Sequence, residues 1–276
     1  MTIGDYLGEL LHVLVDKFGK REAKSMLQIL REDSSLFKNR EDEVELSGEE
    51  SILADKIKNQ LIENVPIQQI TQKAFFYGYS FYVDSNVLIP RPETEELVRE
   101  VLEFNEKEDP KILDIGTGSG CIALSLKKNL PLSAVTAIDA SLNALVVARR
   151  NAELLKVRTE LKEVNFLSKQ ARNGLGVYDI IVSNPPYISY DEKEKMDKGV
   201  VSNEPHMALF VESDPLLFYK CIVQFAKEHL ASDGFIAVEI NEYRSKETLD
   251  LFVGYRTSLI KDMQGKARII LAQKMN

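Results

Sequence analysis

The chain has 276 residues, 44% of them hydrophobic and 28% charged, with a net charge of −8. That size suits one large domain with a small one attached, and no run reaches the roughly 18–20 apolar residues of a membrane span. The acidic balance argues against a protein that holds long nucleic acid through its phosphates, and two cysteines far apart, Cys121 and Cys221, argue against a disulfide framework or a paired-cysteine zinc site.

His12, His206 and His229 are scattered singly, so no metal site is expected. Met1-Thr2-Ile3-Gly4-Asp5 has no basic stretch ahead of an apolar block. The sequence therefore predicts no secretory leader and a reducing, cytoplasmic home.

Along the chain, Ile3, Leu7, Leu10, Leu11, Leu14 and Phe18 recur at helical spacing behind Thr2, a candidate N-cap. Residues 23–30 continue the pattern after Gly19. Ser47 and Glu50 have capping-box spacing at the head of a third helix carrying Ile52, Ala54, Ile57 and Leu61. The run Arg40-Glu41-Asp42-Glu43-Val44-Glu45 reads as a solvated loop. Residues 1–72 are thus expected to form a helical N-terminal domain that docks a partner, with nothing suited to catalysis.

Residues 73–92 read as a linking β-hairpin: an aromatic run over 74–83, a turn at Asp84-Ser85-Asn86, then Val87-Leu88-Ile89 ahead of the stiff Pro90-Arg91-Pro92. From 93 to 276 the rhythm alternates. Strands are predicted at 111–114, 134–139, 160–164, 178–183, 234–239 and 267–273, with helices at 118–128, 141–155 and 215–230. This is an α/β pattern, a doubly wound and mostly parallel sheet that takes ligands outside the carboxyl ends of its strands.

Leu113-Asp114-Ile115-Gly116-Thr117-Gly118-Ser119-Gly120 falls between the first of these strands and its helix. Its spacing is G-x-G-x-G and not the G-x-G-x-x-G of dinucleotide folds. A carboxylate at Asp114 would repel a pyrophosphate, and it suits a cation such as the ammonium and sulfonium of S-adenosylmethionine. Asp139 ends the next strand, where an acid can accept two ribose hydroxyls. Asn165-Phe166 ends the third, within expected reach of adenine. The fourth ends in Asn184-Pro185-Pro186-Tyr187. The prolines fix φ and carry no N–H, so carbonyls there are rigid acceptors. Asn184 adds a side-chain oxygen and Tyr187 a flat face. Such a segment can grip a planar –NH2 group by both hydrogens.

The block from Val87 to Glu95, the loop from Asp114 to Gly120 and Asn184-Pro185-Pro186-Tyr187 together resemble the bacterial protein-(glutamine-N5) methyltransferases that modify class 1 peptide-chain release factors. Glu204-Pro205 with Ala208-Leu209-Phe210, and Asp262, Gly265 and Arg268, are similar to that family too. The resemblance implies a class I S-adenosylmethionine-dependent methyltransferase acting on the glutamine of a Gly-Gly-Gln loop. By position, Asp114, Gly116, Thr117, Gly118, Ser119, Gly120, Asp139, Asn165, Phe166 and Asn184 line the cofactor. Asn184, Pro185 and Tyr187 serve catalysis, and they receive the substrate with Pro186, Arg91 and Glu204. A monomer is the default state. The chain departs from the family at Gln72 (usually glycine), Asn165 (often aspartate) and Val211-Glu212 (often a glycine pair).

Three rival readings share some of these features. A nucleic-acid methyltransferase acting on adenine N6 or guanine N2 needs the same grip on –NH2, but the acidity and the lack of a basic tail oppose it. A dinucleotide-dependent oxidoreductase needs a glycine spacing that is absent here. A non-catalytic binding module would have no use for an intact Asn184-to-Tyr187 segment.

Overall fold

The computed structural model describes residues 1–195, 198–211 and 214–275; Glu212 lies outside them. The chain divides into two compact units, residues 1–73 with 198–203, and residues 74–195 with 204–275.

In the first unit, helices α1 (Ile3–Phe18), α2 (Lys20–Asp33), α3 (Gly48–Ile62) and α4 (Ile67–Thr71) are joined by the short helix α9 (Lys198–Asn203). Both predicted caps form. The Thr2 hydroxyl accepts from the Asp5 N–H at 3.1 Å, and Ser47 accepts from Glu50 N–H at 3.2 Å while Glu50 accepts from Ser47 N–H at 2.9 Å. These bonds satisfy donors that a helix start leaves unpaired. The apolar stripes of α1 to α3 meet in a core built on Leu10, Leu14, Leu30, Phe37 and Leu61. Gln72 caps α4 at φ 55°, ψ 33°, a left-handed conformation. The chain reverses there, which is the physical reason a glycine suits the position.

The second unit starts with strands β1 (Lys73–Phe76) and β2 (Tyr79–Tyr82). The hairpin thus turns inside the aromatic run, at Tyr77-Gly78, where both residues have positive φ. The expected turn at Asp84-Ser85-Asn86 does not close a second strand. There, Asp84 accepts from the Asn86 N–H at 2.8 Å, and Val87 and Ile89 pack as a loop against Ala144 and Val147.

Then follow α5 (Pro92–Phe104), β3 (Lys111–Ile115), α6 (Cys121–Asn129), β4 (Ala134–Asp139), α7 (Leu142–Leu155), β5 (Glu160–Glu163), α8 (Lys169–Arg172) and β6 (Tyr178–Ser183). A small pair, β7 (Ile188–Ser189) and β8 (Phe210–Val211), brackets α10 (His206–Leu209). The chain ends with α11 (Leu217–His229), β9 (Leu230–Glu239), α12 (Ser245–Leu249), β10 (Tyr255–Lys261) and β11 (Ala267–Lys274).

Among the described residues the main sheet has seven strands in the order β10-β11-β9-β6-β3-β4-β5. Its pairs are parallel from β5 to β9, and β11 runs antiparallel to both neighbours. This is the doubly wound class that the alternation predicts. Of the elements that stand outside that prediction, α5 and β10 are the longest. Helix α5 begins with Pro92 at its first turn, followed by Glu93 and Glu95, a legible start signal. Strand β10 is an edge strand of mostly exposed residues, so its pattern carries little apolar signal.

Apolar clusters cover both faces of the sheet, one built on Leu97, Ile112 and Leu124, the other on Leu113, Ile181 and Ile222. A buried asparagine stitches the loops over one end. Asn151 accepts from Tyr82 N–H at 2.7 Å and donates to Tyr82 O and Ser119 O at 2.9 and 2.8 Å. Leaving a buried polar group unpaired costs about 1–3 kcal/mol, and one side chain here satisfies three backbone groups.

The strain at Gln72 is testable. Gln72→Gly is expected to stabilise the protein by about 0.5–1 kcal/mol, relief of the left-handed penalty exceeding the added chain entropy. Urea unfolding measures it, and an unchanged or lower midpoint would contradict the account.

Candidate active site

The carboxyl ends of β3, β4, β5 and β6 open into one cleft. Its described wall includes Gly116, Gly118, Asp139, Asn165, Phe166 and Asn184. The expected strand-end groups therefore come together although they span almost 70 residues of chain.

The glycine loop turns because Gly116 and Gly118 adopt φ of 73° and 54°, open to glycine without strain. The N–H groups of Gly116 and Thr117 both reach the Ile138 carbonyl at 2.9 Å. The Gly118 N–H donates to Asp139 Oδ2 at 2.9 Å and the Ser141 N–H to Oδ1 at 2.9 Å. Each carboxylate oxygen keeps a further lone pair for an incoming hydroxyl. Burial raises the Asp139 pKa in spite of these donors.

Gly120 has another role. A Cβ there would stand 3.0 Å from Leu124 Cδ1 and 3.3 Å from Ala148 Cβ, so it is the packing point of α6 against α7. Thr117 and Ser119 are likewise buried beneath the loop.

Asp114 lies fully buried below the cleft. Thr117 donates its hydroxyl to Oδ2 at 2.6 Å and the Ala123 N–H lies close to the carboxylate, while Oδ1 forms no hydrogen bond among the described residues. Burial pushes its pKa up to about 7. An orphaned, desolvated carboxylate oxygen under the glycine loop fits a positively charged ligand above it.

Phe166 is almost wholly buried, edge-on to Phe225 at 5.3 Å, with Arg172 donating to its carbonyl at 2.8 Å. Asn165 accepts from the Leu167 N–H at 3.1 Å, which sets its side chain at the rim.

In the Asn-Pro-Pro-Tyr segment, Asn184 and Pro186 face the cleft, and Pro185 is buried. The Asn184 Nδ2 donates to Thr94 Oγ1 at 3.1 Å. Tyr187 packs into the core cluster and donates its hydroxyl to Glu239 at 3.1 Å. Arg91 and Glu204 come together away from the described wall. The buried Glu204 accepts from Arg91 at 2.6 Å and from the Ile89 N–H at 3.1 Å. Glu204 braces the loop that carries Asn86, Val87 and Leu88 into the cleft, and because its side chain is buried away from the described wall, direct substrate contact by Glu204, as expected from the sequence, does not fit its surroundings.

Sequence reasoning missed several members of the site. Asn86, Val87 and Leu88 line the cleft from the loop before Pro90, and the resemblance block already contained the last two. Thr94 and Glu239 support Asn184 and Tyr187. A buried acid at a strand end beside the Asn-Pro-Pro-Tyr strand is a signal only once strand order is known. Among the described residues no cluster of metal-ligating side chains occurs.

Residues 94–203 match the family model described as methyltransferase small domain. The release factor glutamine methyltransferase of Flavobacterium psychrophilum is 42% identical over 98% of this chain and 98% of its own. That of Bacteroides thetaiotaomicron is 44% identical over 78% of each chain. Among solved structures, a methyltransferase from Pyrococcus furiosus superposes with a TM-score of 0.53 at 20% identity, over 79% of this chain and 98% of its own. The sheet is that of the class I S-adenosylmethionine-dependent methyltransferases. With strand-end groups converging on one cleft and such identity over nearly the whole of both chains, this chain belongs to the release factor glutamine methyltransferase family.

Proposed function

We propose that this enzyme methylates N5 of the glutamine in the Gly-Gly-Gln motif of class 1 peptide-chain release factors, with S-adenosylmethionine as donor. The names of the relatives support the substrate. The observation that carries the chemistry is the tether of Asn184, whose amide nitrogen is tied to Thr94 while its side chain borders the cleft. Its oxygen is thereby set aside to accept from an incoming –NH2.

S-adenosylmethionine, when bound, supplies a methyl group on a cationic sulfur whose thioether leaves without acid assistance. The loop from Gly116 to Gly118 would hold it by backbone contact, Asp139 through ribose hydroxyls, Asn165 and Phe166 beside adenine, and Asp114 by charge. Thr117, Ser119 and Gly120 keep the loop in shape.

A carboxamide nitrogen is a weak nucleophile because its lone pair is shared with the carbonyl, so position matters more than basicity. In this reading Asn184 Oδ1 and the Pro185 carbonyl accept the two N–H groups of the glutamine. Pro185 and Pro186 hold those acceptors stiff, and Tyr187 packs against the amide plane. Acceptors aimed at the N–H groups also stabilise positive charge as it develops on nitrogen. Arg91 shapes the substrate side through Glu204.

The first unit is proposed to dock the release factor, since a glutamine on a protein loop needs presentation by more than a pocket. The net charge of −8 favours a protein over nucleic acid, and among the described residues no helix is long and apolar enough to cross a membrane. A monomer working in the cytoplasm completes the proposal.

Methyl transfer to purified release factor, mapped by mass spectrometry, tests the reaction; label absent from the Gly-Gly-Gln glutamine would refute it. Asn184→Ala should lower kcat by about 100-fold and leave cofactor Kd nearly unchanged, whereas wild-type turnover would remove Asn184 from its role.

Asp114 predicts a pH effect. It is ionised only above about 7 in the free protein, and the ionised form attracts a cation, so cofactor affinity should rise between pH 6 and 8 and then level off. Asp114→Asn should abolish that slope in calorimetric titration. The same variant should be the more stable free protein at pH 8. The folded-state pKa lies above the unfolded value, so the wild type loses stability as pH climbs from about 4 to 7. A slope that persists in Asp114→Asn would exclude this carboxylate as its source.

For docking, deletion of residues 1–72 should raise KM for intact factor with cofactor binding preserved. Unchanged KM would dismiss the first unit as the docking element.

A further inference from the structure

We propose that Glu239 and Thr94 are positioning residues for methyl transfer, a buried carboxylate and a hydroxyl that dictate which end of the Asn184 carboxamide faces the substrate, a role that rests on the reading of Asn184 given above.

Glu239 ends β9, one register step beyond the pairing of Val238 with Ser183, so it stands beside the start of the Asn-Pro-Pro-Tyr segment. It is 3% exposed. Its two oxygens serve the two ends of that segment. Oε2 accepts the Thr94 hydroxyl at 2.7 Å and Oε1 accepts the Tyr187 hydroxyl at 3.1 Å. Thr94, itself buried, in turn faces Asn184 Nδ2 at 3.1 Å.

Proton counting gives this chain a direction. A hydroxyl owns one hydrogen. Thr94 spends it on Glu239 and can only accept from Asn184. The carboxamide must therefore present nitrogen to Thr94 and oxygen to the other side. A flipped carboxamide would set two acceptors 3.1 Å apart. Ionised Glu239, which has no hydrogen to give, is what excludes the flip.

If Glu239 were protonated, it could donate to Thr94. The Thr94 hydrogen would then turn to Asn184 Oδ1, and the carboxamide would offer –NH2 to the –NH2 of the substrate. Two donors would face each other and the grip would be lost.

In this proposal Glu239 stays ionised against the pull of its burial. Burial raises its pKa; the Thr94 and Tyr187 hydroxyls and the charge of Arg268 on β11 oppose this, while Glu93 on α5 adds to it. The Tyr219 hydroxyl of α11 goes to the Glu239 backbone carbonyl at 2.9 Å. Arg268 itself pairs with Asp262 at 3.1 Å. A core acid that forms no ion pair of its own among the described residues is expensive to keep ionised, and its position next to the acceptor segment is where orientation would repay that cost.

The test uses the full-length protein with S-adenosylmethionine and intact release factor. Thr94→Val, which keeps shape and loses the hydroxyl, and Glu239→Gln should each lower kcat by about 10- to 100-fold, with cofactor Kd shifted less than about threefold. Thr94→Ser should recover at least tenfold of the turnover lost in Thr94→Val. The wild-type rate should fall on the acid side as Glu239 protonates, and Glu239→Gln should lack that limb. Wild-type kcat in Thr94→Val, or equal loss in Thr94→Ser, would overturn the assignment. A substrate-free measurement separates the two proposals. The Asn184 side-chain amide protons should be protected from exchange in the wild type and lose protection in Thr94→Val. Inactivity of the wild type on release factor would sink the substrate reading alone, and unaltered Asn184 protons in Thr94→Val would sink the relay alone.

Discussion

The parallel pairing of β3 with β6 is the constraint on which the rest of the site depends. Ile115 lies opposite Ser183 in register, and the Ser183 hydroxyl donates to the Ile115 carbonyl at 2.7 Å. Neighbouring strands are about 4.8 Å apart. The glycine loop that follows Ile115 and the Asn-Pro-Pro-Tyr segment that follows Ser183 therefore leave the sheet side by side, at the same level. A slip of one residue would turn Asp114 and Asn184 to the opposite faces. The apolar content of both strands, buried on both sides, opposes that slip, since it would also displace Leu113 and Ile181 from their clusters.

Around this fixed pair the protein keeps acids where burial opposes their charge. Asp114, Asp139 and Glu239 all have pKa values raised by desolvation. Their surroundings differ in what compensates. Asp139 has two backbone N–H donors, and Glu239 has two hydroxyls and the field of Arg268. Asp114 has one hydroxyl and the nearby Ala123 N–H, and its Oδ1 forms no hydrogen bond among the described residues. Incomplete compensation at a strand end is a stability loss that ligand binding can recover, which is the role proposed above for Asp114. The Arg91 and Glu204 pair shows the contrasting case, with every oxygen engaged and a bracing function.

Much of this was legible in the residues. The strand and helix alternation, both helix caps in the first unit, the glycine loop and the Asn-Pro-Pro-Tyr segment each have a local cause in backbone chemistry, so they can be read without neighbours. The hairpin shows where local reading fails. The aromatic run 74–83 looks like one long strand, yet it folds back at Tyr77-Gly78, because two short strands bury Phe76 and Phe81 on one cluster. Glycine in an aromatic run was the available signal. Residues 87–89 have strand composition but pack as a loop against α7, and there they reach the cleft.

What the sequence determined by itself is the set of elements and the chemistry at each strand end, since capping, proline stiffness, glycine φ and apolar periodicity act within a few residues. What only tertiary structure decided is which of those ends meet and how each polar side chain is turned. Asn184, Thr94 and Glu239 lie 90 and 145 residues apart along two of their hydrogen bonds. Hydrogen-bond direction there depends on how many protons each buried neighbour owns, a quantity defined only after strands from distant parts of the chain have been brought into register.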